Sequence, residues 1–433
     1  MSKAFHYSFK KLLTWENMGI AAAAGLYVVY ILWSGGIYKS AVINTLWAAA
    51  VALAGLSHVF QNKMKIRIKK QPIFYYLWLV LFIGVCFLST MWATNASLAK
   101  NRASFLLRIA LSMAVLAFIF QDGRTYRTRD LLKAIELGGH ATGIMVIALR
   151  GFRAIITKIQ LGDRLSDTGL NSNTFGLVVA FSFLITIYFI STEGFKLSSL
   201  LLIPSTIIIV ASGSRKTIAV MVLGTLAMLF LNSSRKGHFL LSMLRIILIA
   251  AAAATAVYFL LKLPFMKLIQ TRVEGMIAGF LSADKALVDG STRVRMMLKQ
   301  NGLTLFSQKP LTGYGLDNAK LFNSYGYYMH DNFVEMLADL GLVGFGCYYM
   351  IYAVIIIGLL KRLDFQDKEF NICFTLIVVV LLMDYGRVSY YNLSTYYILL
   401  LGFIKAQKSK AAVRSPKRNA LGLQRRSYIY ESA

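Results

Sequence analysis

The chain is written in apolar blocks of roughly 17–22 residues, separated by short polar clusters, and that spacing constrains its fold more than any other feature. A block of this length crosses the hydrocarbon of a bilayer as an α-helix, which alone satisfies every backbone polar group within one segment. About twelve such spans are expected, near 17–34, 40–60, 73–93, 104–121, 132–150, 173–191, 197–212, 217–233, 240–263, 341–360, 369–384 and 393–407. Alternating ten-residue strands are absent, so a β-barrel is excluded. The fold class is an all-α polytopic membrane protein. Residues 1–407 form one membrane domain, and 408–433 a basic, disordered cytoplasmic tail.

Charge then orients the spans. The formal net charge of +28 could point to nucleic acid, but the basic residues sit in clusters between apolar blocks, as orientation signals do. Segments 61–72, 122–131, 233–239 and 361–368 and the tail carry Lys/Arg clusters and alternate with mostly short turns, which sets both termini in the cytoplasm. The first apolar block lacks a cleavage site of small residues and is followed at once by another span, so it reads as a retained helix. Cys86, Cys347 and Cys373 lie within apolar runs and make no CxxC pair, so they read as small core residues.

Two outward segments are longer than turns: 151–172, and a Gly-, Asp- and Arg-rich stretch at about 264–331 expected to contain short helices. The second is basic, through Arg272, Arg293, Arg295, Lys299 and Lys309, against the usual orientation preference. Long loops escape that preference, and the plainest functional reason for the charge is an anionic ligand.

Four stretches carry candidate chemistry. At 327–340, Asn332 and Glu335 fit a helix-capping box, with Asn332, Glu335 and Asp339 on one face and Phe333, Val334, Met336, Leu337 and Leu340 on the other. His330 precedes that helix at the expected outer boundary, where it is either a solvated neighbour of a cap or a base. Arg215 follows the turn Ser212-Gly213-Ser214 on the same side; a guanidinium there can snorkel to headgroups or grip a phosphate bidentately. Arg293 and Arg295 begin a helical run that Pro310, Gly313 and Gly315 end, with no P-loop signature. Arg164, Asn171 and Asn173 read as caps of the next span. Asp384-Tyr385-Gly386 matches part of an oligosaccharyltransferase signature, but the two tryptophans that should precede it are missing, and it is set aside. No set of residues has metal-ligand spacing, so neither metal nor cofactor is expected.

In order and sidedness, Arg215 after a small-residue turn, the arginines before Pro310, Gly313 and Gly315, and the run His330, Asn332, Glu335, Gly341, Gly344 resemble the O-antigen ligase/polymerase family. The resemblance implies a metal-independent, inverting membrane glycosyltransferase at the outer face of the bacterial cytoplasmic membrane. It implies an undecaprenyl-diphosphate-linked glycan as donor, a glycan or glycolipid hydroxyl as acceptor, and other polysaccharide-assembly membrane proteins as partners. Carried over by position, Arg215 and Arg293 would hold the diphosphate, and His330 would be the base or positioning group for the acceptor. Arg295, Asn332 and Glu335 complete the expected substrate-binding set. A lipid-linked oligosaccharide flippase would instead want charges deep in its spans, where Arg108, Glu136 and Arg245 are the main ones.

Overall fold

The computed structural model describes residues 14–34, 41–61, 72–120, 128–161, 171–233 and 290–407, with isolated positions at 163 and 165 and between 244 and 270. Most of the expected span at 240–263, the loop portion 271–289, Arg164, Arg245, Arg272 and the tail from 408 lie outside the described residues.

The described residues form helices and contain no strand. In chain order the helices are α1 (Trp15–Ser34), α2 (Ala41–Gln61), α3 (Ile73–Leu88), α4 (Ala96–Phe120), α5 (Thr128–Arg150), α6 (Phe152–Leu161), α7 (Ser172–Glu193), α8 (Leu202–Ala211), α9 (Arg215–Ser233), α10 (Gly290–Gln308), α11 (Asn332–Leu360), α12 (Lys368–Asp384) and α13 (Leu393–Gln407). Among the described residues, seven helices are long and apolar enough to cross a membrane, and the segments around α1 and α8 are shorter apolar helices. Eleven of the twelve expected spans therefore coincide with a helix among the described residues.

The bundle closes around small residues. A Cβ on Gly139 of α5 would lie 2.4 Å from Ser182 Cβ of α7, and one on Gly138 would lie 2.8 Å from Tyr27 Cβ of α1. Two helices thus meet α5 on adjacent glycines, the close approach by which spans pack where lipid supplies no hydrophobic drive. Asn171 caps α7 as its residue type suggests, its side chain accepting from Asn173 N at 3.0 Å.

Because successive spans run antiparallel, the bundle has two polar ends. One gathers the 89–95 turn, the Ser212–Ser214 turn, the 309–331 segment and the 385–392 loop, as the contacts Asn95 N to Asn318 Oδ1 (2.7 Å) and Ser389 N to Asn332 Oδ1 (2.8 Å) record. The other gathers the starts of α5 and α12 and the ends of α7 and α13. There Lys405 Nζ meets Asp367 Oδ2 at 2.6 Å and Glu369 Oε1 at 3.1 Å, and Glu193 pairs with Arg129 and Lys196.

A candidate active site at one end of the bundle

The site is organised by the first turns of α11. An amphipathic helix leading into a span is what the sequence suggests, and α11 carries both parts in one element, kinked at Gly341 (φ 63°, ψ −164°). Its polar face is the buried one, however. Asn332 and Asp339 are 0% exposed and Glu335 2%. Buried polar groups must be satisfied from within the protein, and each of these is.

Asp339 accepts three backbone N–H groups, from Asp317 (2.8 Å), Asn318 (3.1 Å) and Ala319 (2.8 Å). Beside it, Pro310–Gly315 docks backbone to backbone on the kink. Leu342 N donates to Pro310 O at 2.8 Å, Tyr314 N to Ala338 O at 3.0 Å and Gly315 N to Asp339 O at 2.8 Å. A Cβ on Gly313 would sit 2.5 Å from Asp339 C, and one on Gly341 2.3 Å from Leu311 C. The spaced glycines are there because two backbones touch, with positive φ at each (63° at both). Asp317 then pins the segment to α4, 3.1 Å from Arg102, whose guanidinium lies 4.5 Å from the Tyr391 ring centre.

The capping arrangement differs from the expected box. Asp331 is the N-cap, its carboxylate accepting from Val334 N at 3.1 Å and meeting Lys299 Nζ at 2.6 Å. With that position filled one residue earlier, Asn332 turns inward. It accepts from Ser389 N (2.8 Å) and Tyr390 N (3.0 Å) and donates to the Tyr349 hydroxyl (2.7 Å). Glu335 reaches back, as a capping carboxylate does, but to Met329 N at 2.6 Å. Asn332 and Glu335, expected in the substrate-binding set, are thus buried and hydrogen-bonded within the protein.

His330 lies between two anchored residues, Met329 and Asp331. Its backbone is left-handed (φ 57°), a conformation shared among described non-glycine residues only with Asp317, and one that costs about 1–3 kcal/mol unless the surroundings hold it. Glu335 and Asp331 hold the chain on either side. The imidazole is half-buried, 4.2 Å from the Tyr328 ring centre. Burial, then the charges of Arg295 and Lys216, lower its pKa to about 4. At neutral pH the ring is uncharged and able to accept a proton.

Of the arginines expected at the site, Arg295 is the one whose charge bears on the imidazole. Arg215 is half-buried at the start of α9, after a turn whose Ser212 packs so closely on α7 that a Cβ on Gly176 would meet it at 2.9 Å. Arg293 is exposed on the first turn of α10. The sequence reading missed Lys216, Arg387 and Asp384. Lys216 Nζ lies 2.8 Å from where a Gly386 Cβ would stand, Arg387 donates to Asn392 Oδ1 at 2.8 Å, and Asp384, fully buried, accepts from the Tyr349 hydroxyl at 3.0 Å. The discarded Asp384-Tyr385-Gly386 run was the available signal. It lies beside the site as a floor on which Lys216 rests.

The carboxylates here are thus occupied by backbone N–H groups, Lys299, Arg102 and Tyr349. Among the described residues no carboxylate lies within ion-pair distance of Lys216, Arg295 or Arg387, and no group of three or more His, Cys, Asp or Glu is placed to hold a metal ion. The result is a neutral base beside cations that form no ion pair among the described residues, at a bundle end.

No curated protein matches the chain. Residues 197–349 match the Wzy_C family, described as O-antigen ligase, an interval that opens just before α8 and takes in Arg215, Lys216, Arg293, Arg295, the Pro310–Gly315 segment and His330. The motif order read from the sequence and this match agree, and both point to the O-antigen ligase/polymerase family.

Proposed function

We propose that the protein transfers glycan from an undecaprenyl-diphosphate-linked donor to a sugar hydroxyl at the outer face of the bacterial cytoplasmic membrane, with inversion at the anomeric carbon. The observation that carries this reading is the excess of cations beside a neutral imidazole. His330 takes the proton of the acceptor hydroxyl as its oxygen attacks the anomeric carbon. The bond to the diphosphate breaks in the same step, and Arg215, Arg293, Arg295 and Lys216 stabilise the charge that gathers on the leaving group. Arginine forks suit the paired non-bridging oxygens of a diphosphate. The diphosphate is an activated leaving group, so cationic side chains take the part that a metal plays for nucleotide sugars, and transfer should persist in EDTA.

The chain acts as a polymerase of a surface polysaccharide, joining one lipid-linked glycan to another. A second reading, ligation of finished glycan to lipid A-core or another anchor, has the O-antigen ligase description of the matching interval in its favour. Deleting the gene separates the two. Loss of a polymerase leaves single lipid-linked repeat units and surface glycans one unit long. Loss of a ligase leaves long polymers on the lipid carrier. Unchanged glycan length and unchanged lipid-linked pools would remove both readings and favour a transporter, which a transfer assay in detergent could not score.

A further inference from the structure

A second cationic feature lies away from His330, where α5 gives way to α6. Gly151, with φ 77°, turns the chain at the end of the span Thr128–Arg150. The helix that follows is amphipathic: Ile155 is fully buried, whereas Phe152 is 53% and Leu161 71% exposed. It packs on α8, and Leu165 N donates to Ala211 O at 3.3 Å, so α6 belongs to the same bundle end as His330.

Beside α6 is an open groove of about 590 Å³ lined by Arg150, Arg153, Thr157, Lys158, Leu161 and Asp163, among others. Three cations face one carboxylate, and that carboxylate, Asp163, is 3.5 Å from Lys158. Among the described residues no carboxylate is within ion-pair distance of Arg150 or Arg153. Arg150 ends an apolar span, which sets the groove level with the membrane–water boundary, where lipid phosphates lie. The exposed Phe152 and Leu161 suit acyl chains, and an amphipathic helix with cations on its polar side is how proteins lie in that boundary. A free anion would need the cations but gain nothing from the apolar flanks.

We propose that this groove binds the phosphate of an anionic phospholipid headgroup, with Arg150 and Arg153 gripping its non-ester oxygens and Lys158 adding charge. The inference does not depend on the reaction assigned to His330.

The test uses the full-length chain in neutral detergent, titrated with phosphatidylglycerol or phosphatidylcholine and followed by native mass spectrometry. Phosphatidylglycerol should bind about tenfold tighter or more, the effect of a charge-assisted arginine–phosphate contact. R150Q/R153Q should lower its affinity to that of phosphatidylcholine, and R150K/R153K should fall between. K368Q, at the opposite end, should leave the preference intact. Should the double variant not fold, R153Q, changing one exposed side chain, must still reduce the preference severalfold. Equal binding of the two lipids by the wild type, or an unchanged preference in R153Q, overturns the proposal. Inorganic phosphate that binds as tightly as the lipid also overturns it, since the groove would then be a free-anion site.

Discussion

The two polar ends of the bundle contain similar side chains used in opposite ways. At one end Lys405 sits between Asp367 and Glu369, and Arg129 shares Glu193 with Lys196. At the other, Asp339, Glu335 and Asp384 accept from N–H and O–H groups, and Lys216, Arg295 and Arg387 have no carboxylate within ion-pair distance among the described residues. Matched charges fasten helices together. Charges left unmatched beside an uncharged base form an environment that a ligand can complete. The lesson is that the number of ionisable residues says little, and the way their partners are distributed says where chemistry can occur.

The largest effect should separate the two ends outright. His330→Ala should lower turnover about 10²–10⁴-fold, the range for a positioned acid–base group, while binding of the lipid-linked donor survives. Purified variant protein that transfers glycan at near wild-type rates would leave His330 a structural neighbour of a cap.

A smaller effect concerns the cations. Arg215→Lys should lose about tenfold in kcat/KM, because the ammonium keeps the charge and loses the fork. Arg295→Met tests the coupling to the imidazole through the pH profile. In the wild type, kcat/KM should stay level as the pH falls from 7 and drop only as His330 protonates near pH 4. Without the Arg295 charge the ring's pKa rises toward its ordinary 6.5, and the acid limb should move up with it. A limb that stays put would break the proposed contact. The same shift has a consequence for stability. The folded value lies below the ordinary one, so the contribution of the neutral ring is fully present above pH 6.5 and is lost as the pH falls toward 4.

Next in size is a change that touches no charge. Gly341→Ala would set a Cβ 2.3 Å from Leu311 C at a positive φ, and should destabilise the protein by about 2 kcal/mol or more, seen as a lower melting temperature. Retained stability would mean that the backbone contact does not fix the loop. The smallest effect on turnover belongs to the matched end. Lys405 is only 9% exposed, so Lys405→Ala, which strips Asp367 and Glu369 of their shared cation, should destabilise the protein by about 1–3 kcal/mol, yet leave turnover within about twofold. A large loss of activity there would end the contrast between the two ends.

How much of this the sequence makes legible depends on distance along the chain. Span lengths, the Asn171 cap, the amphipathic start of α11, and the placing of Arg215 and His330 at one end all follow from local pattern or from counting crossings. The occupancy of the polar face does not. Asp339 reaches back to 317–319, and Asn332 reaches forward to 389–390. No periodicity within a helix announces a partner that far away, so a buried face reads as a solvated one. Lys216 was overlooked for a related reason. Beside Arg215 it looks like a second surface cation, and only the return of α12 brings Gly386 under its ammonium.

The Asp339 clamp also bears on how the protein is made. A carboxylate in the front of a span is costly to leave in lipid, and its three N–H donors belong to residues 317–319, earlier in the chain. Synthesis runs from the N-terminus, so the donors are made before α11 seats. The order of residues therefore matches the order of assembly: the receptacle is delivered first, and the charged helix start arrives to find it waiting. A circular permutation that emitted α11 ahead of its loop would keep every contact of the finished fold and lose that sequence of events.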